Sequence, residues 1–185
     1  MRNFTQQAIK QTFRDLLVTT PFDKITVSAL VKECGISPNT FYYHYQDIYQ
    51  LLDEWLAEEM GRFTEQEDAG GWINNIVSLM SVMKENKAII NHIAHSLSRN
   101  HLESYIFNAN DDVIDRFVGL RASNRDIPIE ELQNIASFCR YAVFGCIWRF
   151  IRNNMEDDAE QEADKLWRLL SDFIEISVSR FPSRQ

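Results

Sequence analysis

Apolar residues recur at helical spacing along almost the whole chain. Ile9, Phe13, Leu16 and Leu17 fall at i, i+4, i+7 and i+8, which predicts a first helix over Phe4–Thr20. Thr19-Thr20-Pro21 stops it, because proline disfavours helical backbone in the residue before it. Thr26 is a hydroxyl cap for a short second helix that carries Val27, Leu30 and Val31 and ends at Cys34. Gly35 then suits a left-handed turn. Ser37 caps a third short helix, with Pro38 at its first position, running to His44 or Tyr45. Two helices of about two turns around a short turn containing Gly35 have the sequence shape of a helix-turn-helix. Ile36, just before the cap, is placed to pin that turn onto the core.

The pattern continues as helix. Asp47 caps a long fourth helix whose apolar face is Ile48, Leu51, Leu52, Trp55, Leu56 and Met60. Residues 62–71 are polar with two glycines, the best boundary in the chain. Helices follow over Trp72–Met83, Asn86–Leu97 and Leu102–Val118. A charged break at Arg121–Pro128 precedes a long helix from Ile129 or Glu130 to about Asn154. Glu156-Asp157-Asp158 suits the start of a last helix, Ala159 to about Val178, because acidic groups favour the positive end of the helix dipole. No stretch keeps a period of two and no repeat is visible. The expectation is an all-α protein of about nine helices. It divides into a three-helix N-terminal domain, 1–47, and a larger helical domain, 48–185.

With 185 residues, one domain or two small ones are expected. Only six glycines and four prolines weigh against flexible linkers and against a nucleotide-binding α/β enzyme. Cys34, Cys139 and Cys146 are odd in number and widely spaced, which suits reduced thiols and a cytoplasmic protein. Asn3, Gln6, Gln7, Lys10 and Gln11 interrupt any apolar run at the start, so no leader peptide is expected. No apolar run is long enough to span a bilayer, so no membrane partner is expected. The net charge of −8 argues against nucleic acid, but it hides an asymmetry. Residues 1–46 carry five Lys/Arg (Arg2, Lys10, Arg14, Lys24, Lys32) against Asp15, Asp23 and Glu33. That +2 head leaves −10 on the body. No phosphate loop, zinc HExxH or nucleophile elbow is present, so no enzyme, no cofactor and no catalytic residue are expected. His92, His95 and His101 lack a nearby carboxylate or cysteine, so no metal site is expected either.

Phe22-Asp23-Lys24-Ile25-Thr26-Val27, Cys34-Gly35-Ile36-Ser37 and Thr40-Phe41-Tyr42-Tyr43-His44-Tyr45 together resemble the N-terminal signature of the TetR family of transcriptional regulators. The resemblance implies a homodimer in which each subunit has a DNA-binding head and a body for effector sensing and dimerisation. It implies a sequence-specific regulator of double-stranded operator DNA, expected to be a repressor released by a small-molecule effector, with a protein effector as the other form of control. Phe144-Gly145-Cys146-Ile147-Trp148-Arg149-Phe150-Ile151-Arg152-Asn153-Asn154 more faintly resembles a branch that includes regulators of dihydroxyacetone kinase operons. One departure weakens the match. The family often has a lysine early in the fourth helix, beside the DNA backbone, and Ile48 stands there. That leaves room for a helix-turn-helix-shaped protein-interaction module or co-regulator that has lost DNA binding.

The third helix is expected in the major groove, which admits one helix. Ser37, Asn39, Thr40, Tyr43 and His44 are the candidates for its outward face. The resemblance adds backbone contact by Tyr42 and His44, while Phe41 and Tyr45 build the small core. Thr26 and Ser28 open the second helix, where hydroxyls can meet phosphate, and Lys24 precedes them. Pocket candidates in the body are Met83, His92, His95, Tyr105, Phe107, Phe117, Phe138 and Tyr141. The last two helices are apolar on more than one face, which predicts burial on two sides. Phe144, Ile147, Trp148, Ile151, Leu166, Trp167, Leu170, Phe173 and Ile174 are the expected contributors to a four-helix dimer interface, with Gly145 permitting close approach.

Overall fold

A computed structural model describes residues 2–61 and 71–183. Nine α-helices follow one another: α1 Arg2–Thr19, α2 Val27–Cys34, α3 Pro38–His44, α4 Ile48–Gly61, α5 Gly71–Glu85, α6 Lys87–Ala94, α7 Arg99–Ala122, α8 Ile129–Arg152 and α9 Ala159–Ser179. A 3-10 turn at Phe22–Lys24, which the apolar pattern does not reveal, links α1 to α2. Among the described residues the only β-type pairing is a single bridge between Arg125 and Ser183. The boundary expected at 62–71 lies outside the described residues except at Gly71, where α5 begins.

Local chemistry sets the ends of these helices. Thr26 Oγ1 accepts from Ala29 N at 3.2 Å and Ser37 Oγ from Thr40 N at 3.1 Å, each satisfying an orphan donor of a first turn. At α4, Asp47 Oδ1 accepts from Tyr49 N and Gln50 N, while Gln50 Oε1 reaches back to Gln46 N, a variant of the capping box. Two helices end in Schellman geometry. At α2, Ile36 N donates to Val31 O and Gly35 N to Lys32 O, with Gly35 at φ 70°. At α8, Met155 N donates to Phe150 O and Asn154 N to Ile151 O, with Asn154 at φ 57° and Met155 at φ 55°. Met155 and Phe150, at the two positions that commonly pack together in such an ending, are both buried.

The chain forms two compact units. One comprises residues 1–60 with 85–105, so α4, α6 and the start of α7 fold with the first three helices. Its core is built from Ile9, Phe13, Leu17, Phe22, Leu30, Phe41, Tyr45, Leu51, Leu52 and Trp55, all buried. Phe13 meets Phe22 and Trp55 edge-on, each at 6.2 Å between centroids, and such pairs add about 0.5–1.5 kcal/mol beyond area burial. The second unit comprises 61–84 with 106–185. There α8 packs on α9. Buried Glu162 of α9 pairs with Arg149 of α8 and with Lys165 of its own helix, which satisfies a carboxylate that would otherwise be costly to bury.

The packing of α8 on α9 shows which of the expected interface residues are already covered within one chain. Phe144, Ile147, Ile151, Leu166, Leu170 and Ile174 are buried against their own chain, and Trp148, Trp167 and Phe173 are half-buried. Each helix is apolar on two faces, and one face of each is buried within its own unit. The solvent-facing apolar side chains are instead Phe138 (55% exposed), Tyr141 (54%), Leu169 (70%) and Ile176 (58%).

Candidate nucleic-acid interface

The first unit presents α3 as an exposed helix on an apolar bed. Phe41 and Tyr45 point inward, fully buried, with ring centroids 5.6 Å apart. Tyr42 and Tyr43 point outward, 58% and 69% exposed. Ser37 and Asn39 are exposed, and Thr40 and His44 are half-buried. The four inward and outward rings thus divide as the sequence expectation placed Phe41, Tyr45 and Tyr43, and they settle Tyr42 outward. The ring of Tyr43 meets that of His44 edge-on at 5.0 Å. His44 Nδ1 is buried and has no hydrogen-bond partner among the described residues.

Hydroxyls dominate the open ends of the two short helices. Ser37 Oγ and Thr40 Oγ1 lie 2.9 Å apart. One hydroxyl hydrogen is used between them and the other is available to an outside acceptor. Thr26 is exposed, and while its oxygen caps α2 its hydrogen remains to be donated. Ser28 is exposed one residue into α2. This arrangement suits phosphate oxygens, which accept hydrogen bonds from hydroxyls and from helix N-termini.

The cations of this unit are mostly committed to the protein itself. Lys10 bridges Glu54, at 3.3 Å, and Glu58, both on α4. Arg14 donates to Asn86 Oδ1 at 3.1 Å. Lys24 is highly exposed but paired with Asp23 at 3.0 Å, and this neighbour holds the Asp23 carboxyl below its ordinary value. Counting charges along the sequence missed these commitments. Only the adjacency of Asp23 and Lys24 was readable there, since the partners of Lys10 and Arg14 lie 44 to 72 positions away. Lys32 is exposed on α2, one helical turn beyond Ser28.

The pocket candidates divide between the two units. His92, His95 and Tyr105 belong to the first. There the His92 ring bonds the Leu17 carbonyl at 2.8 Å, His95 is exposed and bonds Asn91 O at 2.7 Å, and the Tyr105 hydroxyl donates to Asp53. Burial and Asp53 together raise the Tyr105 phenol well above its ordinary value. Met83, Phe117, Phe138 and Tyr141 belong to the second unit. Of these Met83 and Phe117 are buried, Phe117 against Trp167 at 5.0 Å, whereas Phe138 and Tyr141 lie on the outer surface. Phe107 falls outside the residues whose side chains are described. Among the described residues no cluster of three His, Cys, Asp or Glu could hold a metal ion, and no helix is long and apolar enough to cross a membrane.

An all-helical chain whose first unit offers a helix-turn-helix with an exposed polar recognition helix belongs to the class of DNA-binding proteins. Comparison with known proteins narrows the class. Residues 12–55 match the family described as bacterial regulatory proteins, tetR family, and residues 71–172 match the one described as transcriptional regulator C-terminal region. The chain belongs to the TetR family and is a DNA-binding transcriptional regulator. It is similar to the HTH-type dhaKLM operon transcriptional activator DhaS of Lactococcus lactis subsp. lactis (strain IL1403), 24% identical over 139 residues, which are 74% of this chain and 72% of that protein. Among solved structures its fold is similar to that of a dihydroxyacetone kinase operon activator DhaS, with TM-score 0.70 and 20% identity over 93% of this chain and 97% of that one. A putative tetR family transcription regulator from Shewanella sp. PV-4 shares the fold at TM-score 0.56, with 14% identity over 98% of this chain and 99% of the other.

Proposed function

We propose that this regulator reads double-stranded operator DNA as a homodimer, with α3 of each subunit in a major groove. In this reading Ser37, Asn39, Thr40, Tyr42, Tyr43 and His44 meet bases and phosphates. Thr26, Ser28 and Lys24 meet phosphate from the start of α2. The observation that carries the reading is the exposed hydroxyl-rich face at the N-termini of α2 and α3, held on a fully buried aromatic bed. The second unit takes the effector, a small molecule or a protein.

A fluorescence-anisotropy titration tests the reading, with a duplex covering the protein's own upstream region against a scrambled duplex of equal composition. Selective binding that weakens with salt is expected. Each phosphate neutralised contributes about −0.9 to the slope of log K against log salt. Phosphates neutralised by Lys24 and by exposed Lys32 on two subunits contribute about −4 to that slope. Absence of binding to either duplex at low salt, from a folded protein, would sink the reading. That outcome would favour the protein-interaction module, a second reading supported by the internal commitment of Lys10, Arg14 and Lys24. The similar Lactococcus protein is named an activator, whereas a repressor was expected from the wider family resemblance. A promoter fusion reads the sign: output that rises on deletion of the protein identifies a repressor, and output that falls identifies an activator.

The dimer face in this proposal is the outward stripe of α8 and α9, supported by the exposure of Phe138, Tyr141, Leu169 and Ile176. Replacing Leu169 and Ile176 together by Glu is expected to shift sedimentation from dimer to monomer with the helical signal retained. A dimer that persists in this variant would place the interface elsewhere.

A further inference from the structure

α6 is stitched to the exit of α1 by side chains that the DNA-facing surface does not use. Arg14 Nη2 donates to Asn86 Oδ1 at 3.1 Å, at the start of α6. Two turns further along, the ring of His92 bonds the carbonyl of Leu17 at 2.8 Å. Leu17 lies in the last turn of α1, where carbonyls have no amide partner within the helix. A carbonyl only accepts, so Nδ1 of His92 is the donor, and His92 acts as a C-terminal cap supplied from another helix. Just beyond α6, Ser96 Oγ lies 2.6 Å from the His92 carbonyl and 3.2 Å from Asp23 Oδ1, so its one hydroxyl hydrogen is shared between two acceptors and the Asp23 contact is the weaker. Asp23 is also the partner of Lys24.

These contacts converge on one short segment. Pro21–Thr26 leaves α1, makes the 3-10 turn through Lys24 N to Pro21 O and Ile25 N to Phe22 O, and delivers Lys24 and the cap Thr26 to the start of α2. Phe22 and Ile25 are buried, and Asp23, Lys24 and Thr26 are exposed. His92 of α6 contacts the end of α1, and Ser96 just beyond α6 contacts Asp23, so both ends of the turn meet this part of the chain.

We propose that His92 is a positioning residue for DNA reading, with Ser96 in a lesser part: from α6 and the turn that follows it they hold the exit of α1 and the Asp23 carboxylate, and thereby the placement of Lys24 and Thr26 against phosphate. The proposal rests on the DNA-reading function above and assigns α6 a direct part in it. It gives His92 a role in place of the effector pocket for which its residue type made it a candidate.

The test uses the full chain and two independent readouts. Amide hydrogen exchange is followed at Lys24 and Ile25, whose N–H groups close the 3-10 turn. Affinity for the upstream duplex and for the scrambled one is measured by anisotropy at low salt. His92→Ala is expected to speed exchange at both amides and to weaken binding to both duplexes by a similar factor of about fivefold, because Lys24 and Thr26 are placed against phosphate, which carries no sequence information. His92→Asn sets an amide donor near the position of Nδ1 and is expected to restore both. Ser96→Ala, a milder change, is expected to act in the same direction and serves if His92→Ala fails to fold. Unchanged exchange at Lys24 and Ile25 in the folded variants would overturn the proposal whatever the DNA result. Faster exchange with undiminished affinity for both duplexes would overturn it too, leaving a purely structural bond. A wild-type protein that selects no duplex would sink the DNA-reading function and the DNA half of this proposal. Exchange would still decide whether α6 holds the segment.

Discussion

Gly35 isolates the cost of a single backbone angle. It sits at φ 70°, where the α2 helix ends, and a Cβ built there meets nothing within 4 Å. Replacement by Ala therefore introduces no clash, and its whole effect is conformational. Holding an L-residue in the left-handed region costs about 1–2 kcal/mol. Stiffening of the unfolded chain by the new methyl offsets about 0.4–1 kcal/mol of that. The net expectation for Gly35→Ala is a loss of about 1 kcal/mol, or roughly fivefold in the folded-to-unfolded ratio. For a chain of this size that is a fall of about 2–4 °C in Tm. Gly35→Asn, which tolerates the same region better, is expected to fall between Gly and Ala. Urea unfolding followed by far-UV circular dichroism measures all three proteins. Asn154, at φ 57° in the equivalent place at the end of α8, supplies an internal check: Asn154→Ala is expected to lose a smaller amount, the part of the cost that separates Asn from Ala. A Gly35→Ala protein as stable as the wild type, or an Asn variant less stable than the Ala one, would refute the argument.

Removing the hydroxyl of Ser37 is expected to cost about 1 kcal/mol as a lost N-cap and to weaken binding to the upstream duplex; binding left intact would remove Ser37 from the interface. Tyr45 predicts sensitivity to alkali. Burial, then Glu54 and Glu58, raise its phenol well above the ordinary value of 10.0. The folded state keeps this proton when the unfolded state has lost it. The contribution is therefore complete below pH 10 and declines above it, by up to about 1.4 kcal/mol per pH unit until the folded group ionises. A Tyr45→Phe protein should show a shallower loss of stability above pH 10 in the same urea assay, and an unchanged slope would refute the cause. Cys139 is buried, and burial pushes its thiol up to about 11, so it should react with a thiol reagent only on unfolding, whereas half-buried Cys34 should react in the native protein. Mass spectrometry of the labelled peptides decides between them.

The helices were legible because their signals are local. The spacing of Ile9, Phe13, Leu16 and Leu17 defines one face within three turns, and the caps Thr26, Ser37, Asp47 and Asp158 act on amides two or three residues away. Gly35 was legible for the same reason, since only a short list of residues accepts its backbone angle. The inward turn of Phe41 and Tyr45 follows from their spacing of four on α3.

What the linear pattern left open was pairing at a distance. Two apolar faces on α8 and α9 do not say which face meets the sister helix and which faces water; packing put Phe144, Ile147, Leu166 and Leu170 inside and left Phe138, Tyr141 and Leu169 outside. A lysine in a sequence carries one charge wherever it stands, yet Lys10 is held by Glu54 and Glu58 on another helix, so its charge is no measure of what DNA would meet. His92 reads as a polar residue on an amphipathic helix, and only the approach of α6 to the end of α1 turns it into the cap of a helix 75 residues away. Capping, periodicity and backbone angle are decided within a few residues of chain. Which carbonyl, carboxylate or apolar face a side chain meets is decided by helices that the chain brings together afterwards.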